Sequence, residues 1–207
     1  MTDKLIAHYQ ALFKEHGASA EALQWADRDT QVARFQVLAG IAPNLGSVLD
    51  FGCGLGDLLA YLRQQGFEGE YCGVDIVPEF IDAVTRLADP KARAVLDQDG
   101  GPLPKGYDYA IVSGVFNNVM DDNRGFFEDT LRRLWQAVEK GIAFNAMSTW
   151  VDYHDPGLWY VDPADVIRFC KEELKGHVTL RHDYVLREGG YPFEFAVYVS
   201  KEPVQPA

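Results

Sequence analysis

The chain has 207 residues, 47% of them hydrophobic and 24% charged, a make-up that fits one globular domain rather than a disordered, fibrous or membrane-spanning polypeptide. Nineteen Lys and Arg against 31 Asp and Glu leave a formal charge of −12, which argues against a partner held by phosphate neutralisation, so no nucleic acid is expected. No apolar run approaches the ~20 residues needed to cross a bilayer, and Met1–Gln10 lacks the basic start and apolar core of a signal peptide.

The odd cysteines Cys53, Cys72 and Cys170 have no CxxC spacing and suggest neither disulfides nor a zinc site. The expectation is a cytoplasmic protein with no membrane partner and no metal.

Along the chain, Leu5, Ile6, Tyr9, Leu12 and Phe13 recur at helical spacing between Asp3 and His16, and a second amphipathic helix is expected from about Asp29 to Gly40. Two helices thus precede the first strand. Gly46 opens Ser47–Phe51, a short apolar run ended by glycines, and Leu58, Leu59 and Leu62 carry a helix up to Gly66. Tyr71–Asp75 reads as the second strand, with Pro78 at the first position of a helix through Phe80, Ile81, Val84 and Leu87. Ala92–Leu96 is the third strand, ending in Asp97, and the Asp, Gly and Pro between Gln98 and Gly106 mark a surface loop.

Tyr107–Ser113 is the fourth strand. The longest helix is expected over Asp121–Lys140, with Phe127, Leu131, Leu134 and Val138 on one face and Gly141 stopping it. Ile142–Met147 is the fifth strand, Ser148–Val161 an aromatic-rich loop, and Asp162-Pro163 the start of another helix. Val178–Tyr184 and Phe193–Ser200 flank Arg187-Glu188-Gly189-Gly190 and read as an antiparallel pair. Strands alternating with helices imply a mostly parallel sheet covered on both faces, with the antiparallel pair at one edge.

The segment that carries chemistry is Asp50-Phe51-Gly52-Cys53-Gly54-Leu55-Gly56-Asp57, between the first strand and its helix. Open parallel sheets bind ligands at such strand ends, and glycines there let a ligand approach main-chain N–H groups. A dinucleotide GxGxxG fails in both registers, because Asp57 or Leu59 stands where the last glycine belongs, and no Gly-Lys-Ser/Thr completes a P-loop. Asp57 would also repel a pyrophosphate, so the ligand expected here is not a polyphosphate.

Asp50-x-Gly52-x-Gly54-x-Gly56, with Gly73-Val74-Asp75 at the next strand end, resembles the first two motifs of class I S-adenosylmethionine (SAM) dependent methyltransferases. The resemblance runs over roughly residues 45–200. It implies an α/β fold with a Rossmann-like seven-stranded sheet, mostly parallel, and an antiparallel C-terminal strand pair. It also implies one domain over 1–207, comprising an N-terminal helical lid (1–44), the core (45–200) and a tail (201–207).

By the same resemblance SAM is the cofactor. The glycine loop with Cys53 wraps its methionine portion, Asp75 holds the ribose hydroxyls with Ile76 beside it, and Asp97 and Gln98 lie near the adenine. Ser113, also expected to contact the cofactor, opens the segment that in this family shapes the floor beside the transferred methyl. The chemistry agrees, since a carboxylate accepts two charge-assisted bonds from a diol, and an acidic pocket suits a sulfonium.

Trp25, Gln31 and Arg34-Phe35 resemble the cofactor-covering segment of related enzymes. Gln31 and Arg34 share a helix face, so the resemblance implies that one of them meets the SAM carboxylate; the other reading is a solvated Arg beside a packed Phe35. Asn117 and Asn118, after the fourth strand, bind a polar substrate or cap the next helix. That segment lacks the Asn/Asp-Pro-Pro-aromatic run of enzymes acting on nucleic-acid amino groups, and it lacks the metal-binding acids of catechol-type enzymes.

Trp150, Tyr153, Trp159 and Tyr160 are expected to form a small-molecule pocket over the sulfonium, whose charge is attracted to aromatic faces. His154, Asp152, Tyr160 and Asn117 are the candidate catalytic side chains, His154 or Asp152 as a base, against a reading of His154 and its acidic neighbour as a surface pair. In-line methyl transfer needs no base when the acceptor brings a free lone pair. The function implied is methyl transfer to a small molecule. Two alternatives remain: SAM-using chemistry that releases methylthioadenosine by aminocarboxypropyl transfer or ring closure, and a non-catalytic SAM-binding protein.

Overall fold

The structure is a computed structural model that describes residues 2–17, 19, 27–98 and 100–203. Trp25, part of the expected covering segment, lies outside the described residues. Two helices come first, α1 (Thr2–His16) and α2 (Arg28–Ala39), the second capped by Asp27, whose carboxylate accepts the Thr30 N–H at 2.7 Å. Then β1 (Val48–Phe51), α3 (Asp57–Gln64), β2 (Tyr71–Asp75), α4 (Pro78–Arg86), β3 (Ala92–Leu96) and β4 (Tyr107–Val112) alternate. They are followed by α5 (Asn123–Ala137), β5 (Val138–Ser148), β6 (Tyr160–Val161), α6 (Pro163–Glu172), β7 (His177–Arg181) and β8 (Glu194–Ser200).

The sheet order is β3-β2-β1-β4-β5-β8-β7, with β1 to β5 mutually parallel, β8 antiparallel to both β5 and β7, and β6 paired to the end of β5. The pleat sends alternate side chains to opposite layers. Leu49, Ala110, Val112, Ile142 and Phe144 meet Phe127, Leu131 and Leu134 of α5 and Phe169 of α6 on one face. Val48, Ile111 and Ala143 meet Phe35 and Leu38 of α2, Leu58 and Leu62 of α3 and Val84 of α4 on the other. Burying each such large side chain contributes about 1.5–3 kcal/mol.

Two expectations are corrected. The helix expected over Asp121–Lys140 runs Asn123–Ala137, no longer than α1, and β5 begins at Val138 rather than Ile142. Val138 completes an apolar helical stripe in the sequence, but Tyr107 of β4 pairs with it, and the sheet takes it. Gly141 is therefore no helix stop. It sits within β5 opposite Ser200, where a Cβ would lie 2.6 Å from the Val199 carbonyl, so the close strand approach requires glycine. The second correction is β6, an eighth strand whose two residues are too few to leave a period in the sequence.

Candidate active site

The loop between β1 and α3 is fixed by the end of β2. Gly52 N–H and Cys53 N–H both donate to the Val74 carbonyl, at 2.8 and 3.1 Å, and Gly54 N–H donates to Asp75 Oδ2 at 2.9 Å. Asp75 Oδ1 accepts Val77 N–H at 3.0 Å, so one buried carboxylate ties the loop to the start of α4. Gly52, Gly54 and Gly56 all have positive φ, at 76°, 51° and 86°.

At Gly52 a Cβ would also stand 2.3 Å from Val115 Cγ2. Gly52→Ala is therefore expected to lose about 2–4 kcal/mol in urea unfolding, from left-handed backbone (about 1–2 kcal/mol) and displacement of Val115. Gly66→Ala, at φ 84° with nothing within 4 Å, separates the two effects and should show only the smaller backbone loss.

Above this loop lies a cavity of about 670 Å³, at the carboxyl ends of β1, β2, β3 and β4. The neighbours of β1 are β2 on one side and β4 on the other, the switch point at which open α/β sheets bind ligands. Leu5 and Tyr9 of α1 and Gln31 and Phe35 of α2 line its outer side. Gln31 donates to Asp57 at 3.1 Å, Tyr9 Oη accepts from Asn118 Nδ2 at 3.1 Å, and Gln10 donates to Glu79 at 3.0 Å. These contacts hold α1 and α2 against the glycine loop, α4 and the segment after β4.

The cavity is acidic. Burial pushes the Asp50 carboxyl up to about 7; the Tyr71 hydroxyl bonded to it opposes this, and the charges of Asp75 and Asp57 add to it. Burial likewise raises Asp75, with the backbone N–H groups of Gly54, Val77 and Ile76 opposing and the Asp97 charge adding. Asp97 pairs with Arg133 Nη2 at 2.9 Å, and Arg132 pairs with Glu128 and Asp129 at 3.1 and 2.9 Å, so both lining arginines already have anions. Ser113 Oγ is buried in this wall with no hydrogen-bond partner.

Of the expected cofactor residues, Asp50, Gly52, Cys53, Gly54, Asp75, Ile76, Asp97, Gln98, Ser113 and Gln31 line this cavity together. Two do not. Gly56 supplies the left-handed turn that starts α3 and packs toward Val84 and Leu87. Arg34 is buried in an ion pair with Glu194 at 2.8 Å, which takes its guanidinium to the strand side of α2.

None of the four candidate catalytic residues lines the cavity. His154 stacks on Tyr160 with ring centroids 4.3 Å apart, Asp152 is exposed, and the Asn117 carbonyl accepts the Trp159 N–H at 2.8 Å. The aromatic loop therefore packs along the segment after β4 rather than over the glycine turn, with Trp159 against Phe127 and with Trp150 and Tyr153 54% and 67% exposed. The expected aromatic pocket is corrected, since none of its four rings lines this cavity, whose apolar side comes instead from Leu5, Tyr9, Phe80, Met120 and Phe126. Tyr9 and Leu5 are four apart on one helix stripe, a signal indistinguishable in sequence from an ordinary core face.

A parallel sheet in this order, with a glycine turn and an acid at adjoining strand ends, defines the Rossmann-like cofactor-binding class. The family profile described as "Methyltransferase domain" matches residues 21–160, more than half of the 207, and the chain belongs to that family, as the motif resemblance implied. It is 32% identical over 161 residues to a Mycobacterium tuberculosis (strain ATCC 25618 / H37Rv) protein named "Putative methyltransferase Rv1506c", covering 75% of this chain and 93% of that one.

Among solved structures it is similar in fold to the DhpI–SAH complex, with a TM-score of 0.66 at 17% identity over 96% of this chain and 95% of that one. It is similar too to a TehB-like SAM-dependent methyltransferase from Corynebacterium glutamicum ATCC 13032 Kitasato, with a TM-score of 0.59 at 21% identity over 94% and 99%.

Proposed function

We propose that this cavity binds SAM and that the protein transfers the sulfonium methyl by direct in-line displacement to a small-molecule acceptor lodged beneath α1. The observation that carries the reading is the buried Asp75 carboxylate, fixed by Gly54 and Val77 N–H groups at the mouth of an acid-lined cavity. When bound, SAM supplies an electrophilic methyl on a positively charged sulfur.

The chain's own residues supply binding and orientation. Asp75 accepts backbone N–H groups and retains acceptor capacity for the ribose hydroxyls. Asp97, held by Arg133, retains acceptor capacity toward the adenine amino group. The buried, unpartnered Ser113 hydroxyl fits a polar cofactor in this wall, since an orphaned buried polar atom costs free energy unless a ligand satisfies it. In this reading Leu5 and Tyr9 of α1 and Gln31 and Phe35 of α2 cover the site and exclude water. The acidic lining with paired arginines favours an uncharged or cationic acceptor over an anionic one.

The three cysteines are unpaired and buried, which supports a reducing, cytoplasmic setting. No helix among the described residues is long and apolar enough to cross a membrane.

Incubation with SAM and a metabolite extract, followed by mass spectrometry, tests the reaction. Enzyme-dependent S-adenosylhomocysteine is the expected product. Methylthioadenosine would overturn methyl transfer in favour of attack at another carbon, and neither product would leave a binding role.

A further inference from the structure

Behind the cavity, outside its lining, lies a buried polar network centred on Glu194 at the start of β8, a residue only 1% exposed. Its Oε2 accepts Arg34 Nε at 2.8 Å; its Oε1 accepts Asn145 Nδ2 at 3.2 Å and the Tyr184 hydroxyl at 2.9 Å. Asn145 Oδ1 in turn accepts the Gly114 N–H at 2.9 Å, which fixes the amide's orientation and leaves only its NH₂ to face the carboxylate. Gly114 has φ +75° and stands between Ser113 and Val115 in the cavity wall. On the other arm Arg34 also bonds the Thr30 carbonyl at 3.3 Å, one residue before Gln31, which lines the cavity and reaches Asp57.

One carboxylate thus joins two pieces of the site that have no strand pairing with each other, the covering helix α2 and the wall after β4. Covering a buried charge fully is demanding, and a half-satisfied buried network is less favourable than none. An anion with three donors here therefore needs both pieces in place at once.

We propose that Glu194 is a positioning residue for the cofactor site, holding the Ser113–Val115 wall and the Gln31 turn of α2 in one fixed relation. The inference rests on the SAM-binding reading for its consequence, not for its geometry. Glu194→Gln keeps size and shape but cannot serve both arms. With its oxygen toward Asn145 and Tyr184 it presents NH₂ to the Arg34 donor; flipped, it presents NH₂ to the Asn145 donor. Arg34→Lys weakens the α2 arm alone and Asn145→Ser the wall arm alone. Tyr184→Phe removes a hydrogen bond from the same carboxylate and touches neither arm.

The test is hydrogen exchange on the full chain without ligand, combined with calorimetric SAM affinity well below the melting temperature. In Glu194→Gln, peptides over 28–39 and 112–120 should both exchange faster, while each single-arm variant loosens only its own segment. SAM affinity should fall roughly tenfold or more in Glu194→Gln, the loss of a charge-assisted bond, and stay within about twofold of the original in Tyr184→Phe, whatever the two variants do to stability. The proposal is overturned if Glu194→Gln loosens only the β7–β8 region, or if its SAM affinity matches that of Tyr184→Phe. If Glu194→Gln does not fold, the single-arm variants carry the same comparison, and equal exchange in both segments for both would overturn it. Failure of the cofactor reading looks different: the unaltered protein would not bind SAM, while the exchange pattern would still report on the network.

Discussion

Asp75→Ala is expected to abolish the thermal shift produced by SAM while leaving the ligand-free protein close to its original melting temperature. A ligand at about one hundred times its dissociation constant stabilises by about 2.7 kcal/mol, so the intact protein in millimolar SAM should melt measurably higher. Removing the carboxylate deletes the acceptor for both ribose hydroxyls, and charge-assisted hydrogen bonds contribute about 1.5–3 kcal/mol each. Two of them correspond to a loss of roughly 10² to 10⁴ in affinity.

The same side chain also accepts Gly54 and Val77 N–H groups, so the variant leaves two buried donors without their acceptor. Against that cost stands the removal of a buried charge whose ionisation burial and Asp97 disfavour. The two effects oppose each other in the ligand-free protein and do not in the complex. Asp75→Asn, which keeps one oxygen for Gly54 N–H, should lie between. Normal SAM binding by Asp75→Ala would remove the ribose role, and a collapse of the ligand-free melting temperature would make the residue chiefly structural.

The parts of the fold legible in the sequence are those where one local cause dictates the outcome. The β1–loop–α3 unit could be read because left-handed backbone at 52, 54 and 56 admits little but glycine, and Asp75 because a strand end places it at the sheet's carboxyl edge. Asp162 caps the helix that follows it through its own side chain, at 2.8 Å, a signal with a local mechanism.

Illegible parts are those decided by a distant partner. Val138 satisfies a helical period and a strand equally, and only Tyr107 of β4 decides between them. Arg34 has the spacing of a residue facing the cofactor, yet a carboxylate 160 positions later holds it. The aromatic run after β5 carries the composition of a ligand pocket. Its placement follows from Trp159 N–H meeting the Asn117 carbonyl and Trp159 packing on Phe127, contacts that no local pattern encodes.

Asp50 connects the acidity of the whole chain to the chemistry of the site, and SAM affinity is expected to weaken by up to tenfold per pH unit as pH falls through about 7. Burial, opposed by the Tyr71 hydroxyl and supported by the neighbouring Asp75 and Asp57 charges, pushes its carboxyl from 3.8 up to about 7, so the ligand-free protein takes up this proton as pH falls through that value. A cation in the cavity favours the ionised form and lowers that value in the complex, so binding releases a proton between the two values. Affinity then falls with pH throughout that window and is flat above it. Calorimetry in buffers of different ionisation enthalpy measures the released proton directly.

Asp50→Asn keeps an acceptor for the Tyr71 hydroxyl and cannot ionise, so its affinity should be weaker above pH 7 and show no slope below it. Stability has the complementary sign. A carboxyl whose folded value is raised contributes stability that is fully present below 3.8 and is lost as pH rises through about 7. The ligand-free Asp50→Asn protein should accordingly melt higher than the original at pH 8, by a margin that narrows as pH falls and closes only below about 3.8. An unchanged pH profile of binding in Asp50→Asn would detach Asp50 from the cofactor, even if the stability difference appears as expected.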